Sequence, residues 1–304
     1  MKSPLEFLAR TAACVALLAG AFPAHSQAPS TTPSIGRNYL WQVSSMTSKI
    51  YLYGTVHAGK RSWYPLPEAV EEAFADAATL AVEADITNDE AMAKSMAGLG
   101  LKPPDSLEKH VRPEDYVRFK RLLGKYAIPE AQTREMKPFL GVSMLVFAEW
   151  GRLGYLPQYG IDGYLIGKAK AAKKKLVEIE GVATQVALME SIGEEEGRTL
   201  FASTLTALES GLSGEQVTGI MNAWQSGDPA LVLEIARKYN AEVKGAKEFE
   251  EKFIWSRHDE MLKKIEGYLG SRERTFVAVG ALHLAGERGL VELLRKRGYL
   301  VKQL

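Results

Sequence analysis

Two histidines follow predicted β-strands in the same local sequence, near opposite ends of the chain. Residues 50–57 read IYLYGTVH and residues 275–283 read TFVAVGALH, so each histidine stands three positions after a glycine. We expect each glycine to let the backbone turn sharply and to let a metal or substrate approach closely. Two imidazoles presented in the same way, from His57 and His283, predict one shared metal site.

Two glutamates also end predicted strands. Glu83 follows TLAV at 79–82, and Glu180 ends KLVEIE at 175–180. Ligands of open α/β sheets collect outside the carboxyl ends of the strands, so we expect these side chains near the two histidines. A buried carboxylate must be paired, solvated or bound to a metal. Glu83 is therefore a candidate third ligand or the partner of a basic residue on a helix, and Glu180 a candidate general base or simply the start of a turn.

An arginine interrupts the apolar stripe of a predicted helix at 246–269. Apolar residues recur every four positions around it, at Phe249, Phe253, Met261, Ile265 and Leu269. Arg257 is thus expected on the buried face, where a guanidinium holds a carboxylate or stabilises an oxyanion. His258 lies similarly on an apolar face and is a candidate for substrate binding.

Three more residues belong to the candidate site. Asp162 lies in YGIDG, where the local sequence favours a helix N-cap; its functional alternatives, also considered for Glu180, are a general base and a residue that orients a metal ligand. Trp63 and Tyr64 occur in a predicted loop soon after His57. They are expected either to line the cleft and bind substrate or to pack beneath the loop.

The chemistry that these residues predict is metal-assisted hydrolysis. Two imidazoles and one carboxylate leave a coordination position open for water, whose pKa the metal lowers. Zn, Mn and Co all suit nitrogen and oxygen ligands, and the sequence does not choose among them. The sequence contains no HExxH, no GxSxG and no Walker loop, the motifs of other hydrolase classes and nucleotide-binding proteins.

The first 26 residues are predicted to be a signal peptide. Lys2 and Arg10 precede an apolar run, and Ala24-His25-Ser26 offers small residues at the spacing that a signal peptidase reads. Residues 27–37 are then expected to form a flexible leader, and 38–304 the folded domain. The sequence predicts export to the periplasm or beyond, with no stable membrane span after signal removal.

Composition narrows the possible partners. Removal of residues 1–26 takes away Lys2, Arg10 and Glu6, and the remaining chain carries equal numbers of acidic and basic residues. This balance gives no reason to expect nucleic acid as a partner. The only cysteine, Cys14, lies within the predicted signal, so no thiolate is available to a metal. Nothing in the sequence indicates an oligomeric state.

Strands alternate with helices along the chain, which favours an α/β fold. We expect a central mixed, partly parallel β-sheet flanked by many helices, with a largely helical middle insertion. Strands are predicted at 39–43, 50–53, 79–83, 175–180, 275–279 and 299–302. The repeated glycine–histidine phrase also raises the possibility of two halves related by a pseudo-two-fold axis.

These motifs resemble the TraB/GumN family and, more distantly, the TIKI proteins, which are membrane-tethered metalloproteases. The similarity rests on YGTVH at 53–57, Glu83, YGID at 159–162, Glu180 with Gln185, Arg257, and GALHLAG at 280–286. It spans about residue 38 to the end of the chain. The resemblance implies one α/β domain with a divalent metal held by His57, Glu83 and His283. Its TIKI branch implies peptide cleavage that depends on Mn or Co.

The sequence departs from the family pattern at His258, where many relatives have asparagine after the arginine. The TIKI membrane anchor also has no counterpart, so a membrane-borne substrate is not implied. We therefore expect an exported metal-dependent hydrolase acting on a peptide or protein substrate. Two alternatives stay open: an esterase-type hydrolase on the same scaffold, and a non-catalytic accessory or binding protein in cell-envelope or exopolysaccharide assembly.

Overall fold

The computed structural model of the protein describes residues 38–304, apart from 97 and 272. The predicted signal peptide at 1–26 and leader at 27–37 lie outside the described residues, so export stays a prediction from the sequence. No helix in the described part of the chain combines the length and the apolar character needed to cross a bilayer.

The fold is built on one six-stranded sheet, and all six strands predicted from the sequence are present. They are β1 (Leu40–Ser44), β2 (Lys49–Thr55), β3 (Thr79–Val82), β4 (Lys175–Glu178), β5 (Thr275–Gly280) and β6 (Leu300–Gln303). Their order across the sheet is β4-β3-β5-β2-β1-β6. The first four in this order run parallel, whereas β1 is antiparallel to both neighbours. The predicted mixed, partly parallel sheet is therefore confirmed.

Helices connect the strands and form the middle of the chain. They are α1 (Glu68–Asp76), α2 (Asp89–Met96), α3 (Pro113–Lys125), α4 (Pro138–Arg152), α5 (Ile161–Ala171), α6 (Val182–Glu190), α7 (Glu194–Ser210), α8 (Leu212–Gln225), α9 (Pro229–Glu242), α10 (Ala246–Phe253), α11 (His258–Gly270) and α12 (Leu290–Lys296). Between β3 and β5 the chain is helical except for the short strand β4. The predicted α/β class with a helical middle segment is confirmed.

Burial explains why the central strands are continuous apolar runs. The residues of β3 are all buried, and β5 is buried up to its last residue. Strands covered on both faces lose the alternation of apolar and polar residues that marks a half-exposed strand. A second apolar cluster lies within the helical segment, where Phe119 and Phe201 pack with their ring centroids 5.1 Å apart.

The single helix predicted at 246–269 is wrong, because the chain divides it into α10 and α11. Ile254 has φ −118° and ψ −68°, and a 3-10 turn at Trp255–Arg257 separates the two helices. The four-residue apolar repeat continues through the break, so the sequence pattern did not reveal it. The Arg257 side chain donates to the carbonyl oxygen of Phe253, at the end of α10, with Nη1–O 2.6 Å. This bond satisfies a backbone acceptor that the interrupted helix leaves at its end.

Candidate active site

The carboxyl ends of the parallel strands bring three predicted ligands to one cavity. Strand β5 lies between β3 and β2, and Thr55 of β2 pairs with Gly280 of β5. His57 follows β2, Glu83 follows β3, and His283 lies in the 3-10 turn directly after β5. All three side chains line a cavity of about 680 Å³. The predicted gathering of strand-end side chains is thus what the sheet topology produces.

Glu83 is a largely buried carboxylate whose two oxygens both accept hydrogen bonds. Oε1 accepts from the Gly280 amide at 2.7 Å, and Oε2 accepts from Arg257 Nη2 at 2.5 Å and Gln185 Nε2 at 3.1 Å. Burial disfavours the charge on Glu83, but the His283 ring and the Arg257 guanidinium outweigh burial and lower the pKa of this carboxyl to about 2. Glu83 is therefore ionised at neutral pH.

Arg257 connects Glu83 to the second strand-end glutamate. Its Nε donates to Glu180 Oε1 at 2.8 Å, and its Nη2 donates to Glu180 Oε2. Burial opposes the charge of this guanidinium, but the Glu180 and Glu83 carboxylates raise the pKa of Arg257 above its ordinary value. Because the guanidinium engages both oxygens of Glu180, this carboxylate is arranged to hold Arg257 rather than to take a proton from water.

A chain of hydrogen bonds fixes the proton positions on two buried histidines. His258 Nδ1 lies 2.7 Å from the Arg288 carbonyl oxygen, and His258 Nε2 lies 2.9 Å from His283 Nδ1. Burial lowers the pKa of His258 to about 4 and that of His283 to about 3, so both rings are neutral. A carbonyl oxygen only accepts, so the proton of His258 is on Nδ1.

It follows that His258 Nε2 accepts the bond from His283 Nδ1–H. His283 Nε2 then carries a lone pair and faces Arg257 Nη1 at 3.2 Å. This is the form in which imidazole binds a metal, and a partner on the other ring nitrogen is typical of metal-ligating histidine. His258 therefore acts on His283, and it is not among the residues that line the cavity. This cavity therefore gives no support to the predicted role of His258 in direct substrate binding.

His57 has a comparable partner on its Nδ1. Asp162 Oδ2 lies 2.9 Å from His57 Nδ1, and Asp162 Oδ1 accepts from Thr55 Oγ1 at 2.6 Å. The Asp162 carboxylate outweighs desolvation and raises the pKa of His57 to about 9, so this half-exposed ring is protonated at neutral pH and must lose a proton before Nε2 can bind a metal. The bond on Nδ1 leaves Nε2 as the nitrogen that can meet a ligand. The N-cap role that the local sequence favoured for Asp162 is wrong: the cap position of α5 is Gly160, and no side chain caps it.

We expected the two motif glycines to turn the chain sharply, but they do not. Gly54 and Gly280 both lie within strands, and neither has a positive φ. A Cβ on Gly54 would collide with the ring of Tyr39, and one on Gly280 would lie 3.4 Å from Glu83 Oε1. Gly54 therefore makes room for a core side chain. Gly280 brings its amide to the Glu83 carboxylate.

The donor atoms suit a divalent metal only if Arg257 moves. His283 Nε2 and Glu83 Oε1 are 3.7 Å apart. Two ligands of one ion can adopt that spacing when each lies about 2.0–2.2 Å from it. As the side chains stand, no three histidine, aspartate or glutamate residues in the described ranges are grouped to hold an ion. The guanidinium of Arg257 faces the His283 lone pair and donates to one Glu83 oxygen, so these two donors are occupied.

Trp63 and Tyr64 are not among the cavity-lining residues. The Trp63 ring packs against Trp224 at 5.2 Å and Tyr155 at 6.0 Å between centroids. Tyr64 packs against Tyr164 at 4.4 Å. Both rings pack around the loop after β2. This position fits the expected alternative of packing beneath the loop rather than the role in substrate binding.

Two features of the site were missed by sequence reasoning. Thr55 donates a hydrogen bond to Asp162, although its place in the YGTVH phrase indicated no such role. The larger omission is the apolar part of the cavity, which helices from the middle segment line. Apolar periodicity is the same for a helix face that meets the core and for one that meets a cavity, so the pattern held no signal for it.

Known proteins are similar to this chain over most of its length. Over 267 residues the chain is 26% identical to the uncharacterized protein YbaP of Escherichia coli K12, covering 86% of this chain and 94% of that protein. The uncharacterized YbaP of Shigella flexneri matches with the same identity and coverage. No solved structure matches the chain. A sequence model of the TraB/PrgY/gumN family matches residues 39–303, and the chain belongs to this family.

Proposed function

We propose that the protein is a metal-dependent hydrolase that cleaves a peptide or ester bond. The proposal rests on one observation: each of the two motif histidines has a hydrogen-bond partner on Nδ1. Nδ1 of His57 meets Asp162, and Nδ1 of His283 meets His258, so each ring keeps Nε2 for a ligand. Partners of this kind orient metal-ligating histidines and raise their basicity.

His57, Glu83 and His283 would hold the cation in this proposal. A divalent Mn, Co or Zn ion, when bound, supplies the Lewis acidity that activates water near neutral pH. Arg257 has to release Glu83 and His283 for the ion to enter. It keeps its charge partner when it does so, because Glu180 binds it through both Nε and Nη2.

Arg257 is the group that would stabilise the reacting carbonyl. When it releases Glu83 and His283, the N–H groups of Nη1 and Nη2 that now face them would be free to stabilise the negative charge that develops on a carbonyl oxygen under attack. Asp162 and Glu180 are positioning residues, since the first holds His57 and the second holds Arg257. This arrangement replaces the general-base role considered for either carboxylate.

The test is metal content and hydrolysis measured on the same preparations. The chain is purified without chelators, its Mn, Co and Zn are quantified, and peptide and ester libraries are screened with each metal added. We expect stoichiometric metal, and its loss together with hydrolysis in the double variant His57→Ala/His283→Ala. His110→Ala is the matched control, because His110 pairs with Asp105 away from the cavity. Absence of both metal binding and hydrolysis in the parent chain would leave the accessory-protein alternative.

A further inference from the structure

The cavity has one charged end, and helices form the rest of its wall. Its acidic, basic and imidazole lining side chains lie together beside the strand ends; they are His57, Glu83, Asp162, Arg257 and His283. Away from them the wall comes mainly from α4, α6, α8, α9 and α10, and its large side chains are aliphatic and aromatic. Some polar side chains also line the helical wall, among them Ser143, Thr204, Gln216 and Tyr239, but a bound molecule meets ionised groups at one end only.

The apolar wall begins directly beside the arginine. Arg257 Nη1 donates to the carbonyl oxygen of Phe253, whose ring stacks on that of Phe249 at 4.1 Å. The Phe139 ring of α4 packs 5.5 Å from the Phe249 ring. These three rings are partly exposed and line the cavity. A carbonyl group held by Arg257 would thus have its apolar substituent against this aromatic wall.

Helical walls favour an aliphatic chain over an extended peptide. Inside a helix the backbone N–H and C=O groups bond to each other, so the wall offers few partners to a peptide backbone. A peptide drawn along it would leave amide groups without hydrogen bonds, which is costly. Extended peptides are commonly bound by strand addition at an open sheet edge instead. An aliphatic chain has no such groups to satisfy.

We propose that the substrate is an acyl compound with a long aliphatic chain, whose carbonyl lies at Arg257 and whose methylene groups lie along α4, α8 and α10. The volume of about 680 Å³ falls within the range of cavities that enclose small ligands. The position of the carbonyl rests on the proposed hydrolase function. Binding of the aliphatic chain does not depend on that function.

The reaction is hydrolysis of an acyl ester or amide. The oxygen of water bonds to the acyl carbon, the bond from that carbon to the leaving oxygen or nitrogen breaks, and the leaving group takes up a proton from water. The products are a fatty acid and an alcohol or amine. Because the fatty acid keeps the whole chain, it serves as a binding probe that needs no turnover.

The experiment measures binding of fatty acids to the protein in the presence of EDTA, so that metal and catalysis play no part. A dansyl-labelled undecanoic acid is displaced by saturated fatty acids from hexanoic to tetradecanoic acid. We expect affinity to rise roughly fourfold for each added methylene group until the cavity is filled. Affinity that does not change with chain length, or equal displacement by a soluble apolar peptide, would overturn the proposal.

Two variants on one helix test where the aliphatic chain of the ligand lies. Ile220 lines the cavity on α8, whereas Asn222 on the same helix is exposed and does not line it. We expect Ile220→Glu to weaken tetradecanoic acid binding by about tenfold or more, since a charge in an apolar wall must be desolvated, and Asn222→Glu to leave it unchanged. Equal behaviour of the two variants would place the chain elsewhere and overturn the assignment.

A second variant distinguishes a filled cavity from a misfolded protein. Val146 of α4 also lines the cavity, and Val146→Phe fills space without adding charge. We expect the longest fatty acids to lose affinity while hexanoic acid keeps it, with thermal unfolding close to that of the parent chain. Loss that is equal for all chain lengths would contradict an occupant that extends along α4. Chain binding without hydrolysis of any acyl ester would count against the hydrolase function alone.

Discussion

His283 Nδ1 lies 2.9 Å from His258 Nε2, and this contact determines which nitrogen of His283 faces the cavity. His258→Phe keeps an aromatic ring beside Trp255 but removes the acceptor. We expect the variant to lose about 1–3 kcal/mol of unfolding free energy, because a buried N–H is left without a partner. Nitrogen NMR of the His283 ring should change from one neutral form, protonated on Nδ1, to a mixture.

His258→Gln is the matched variant for this contact. Its side-chain oxygen can accept the His283 N–H, so part of the stability and the Nδ1-protonated form should return. Identical ring spectra in the parent chain and His258→Phe would show that His258 does not set the form of His283.

Removal of the Arg257 charge should be far more damaging than removal of a surface arginine. Arg257→Met leaves the buried carboxylates of Glu83 and Glu180 without their cation, and we expect a loss of about 3–5 kcal/mol in urea unfolding. Arg274→Met is the control, because its pair with Asp76 is half-exposed and should contribute no more than about 1 kcal/mol.

A double variant tests whether the damage is electrostatic. Arg257→Met combined with Glu180→Gln removes one of the two stranded carboxylates, so we expect it to unfold at higher urea concentration than Arg257→Met alone. If the double variant is less stable by the sum of the two single losses, the pairing is not what stabilises this region.

Asp162→Asn should weaken metal binding without unfolding the chain. One carboxylate now serves Thr55 and His57 together, whereas an amide has a single oxygen acceptor. We expect the affinity for added Mn, measured by calorimetry, to fall about 10–100-fold, as for other second partners of metal-binding histidines. Asp105→Asn removes the similar partner of His110 and should have no effect on metal binding. Parallel losses in both variants would refute a specific role for Asp162.

The sheet and the gathering of His57, Glu83 and His283 were predictable because they depend on local signals. The strands before these three residues are apolar runs in the sequence, and parallel strands place their carboxyl ends along one edge. The pairing of Arg257 with a carboxylate was predictable for a similar reason, since a buried guanidinium requires an anion.

The rest of the site depends on contacts between elements far apart in the chain. The break before Arg257 leaves the apolar repeat intact, so only tertiary packing reveals it. His258 reaches His283 because α11 packs beside the turn after β5, and no spacing in the sequence reports that contact. Trp63 and Tyr64 follow His57 closely, but nearness in sequence did not indicate the faces on which their rings pack.

Glu149 supplies a test of acid stability away from the proposed metal ligands. This buried carboxylate of α4 accepts from Arg152 Nη2 at 2.7 Å and Tyr126 Oη at 2.9 Å. The Arg152 hydrogen bond lowers the pKa of Glu149 below its ordinary value of 4.5; burial opposes this shift, and the Tyr126 hydrogen bond adds to it. The folded state therefore binds fewer protons than the unfolded state in the range between the two pKa values.

It follows that the contribution of Glu149 is complete above about pH 4.5 and is lost as the pH falls through the lower, folded pKa. We expect Glu149→Gln to cost about 1–2 kcal/mol near neutral pH and less at acid pH, where the parent chain has itself become protonated. Urea unfolding across this pH range measures the difference, with exposed Glu114→Gln as the control. A difference between parent and Glu149→Gln that stays constant down to the acid limit would mean that Glu149 titrates alike in both states, contrary to its two hydrogen bonds.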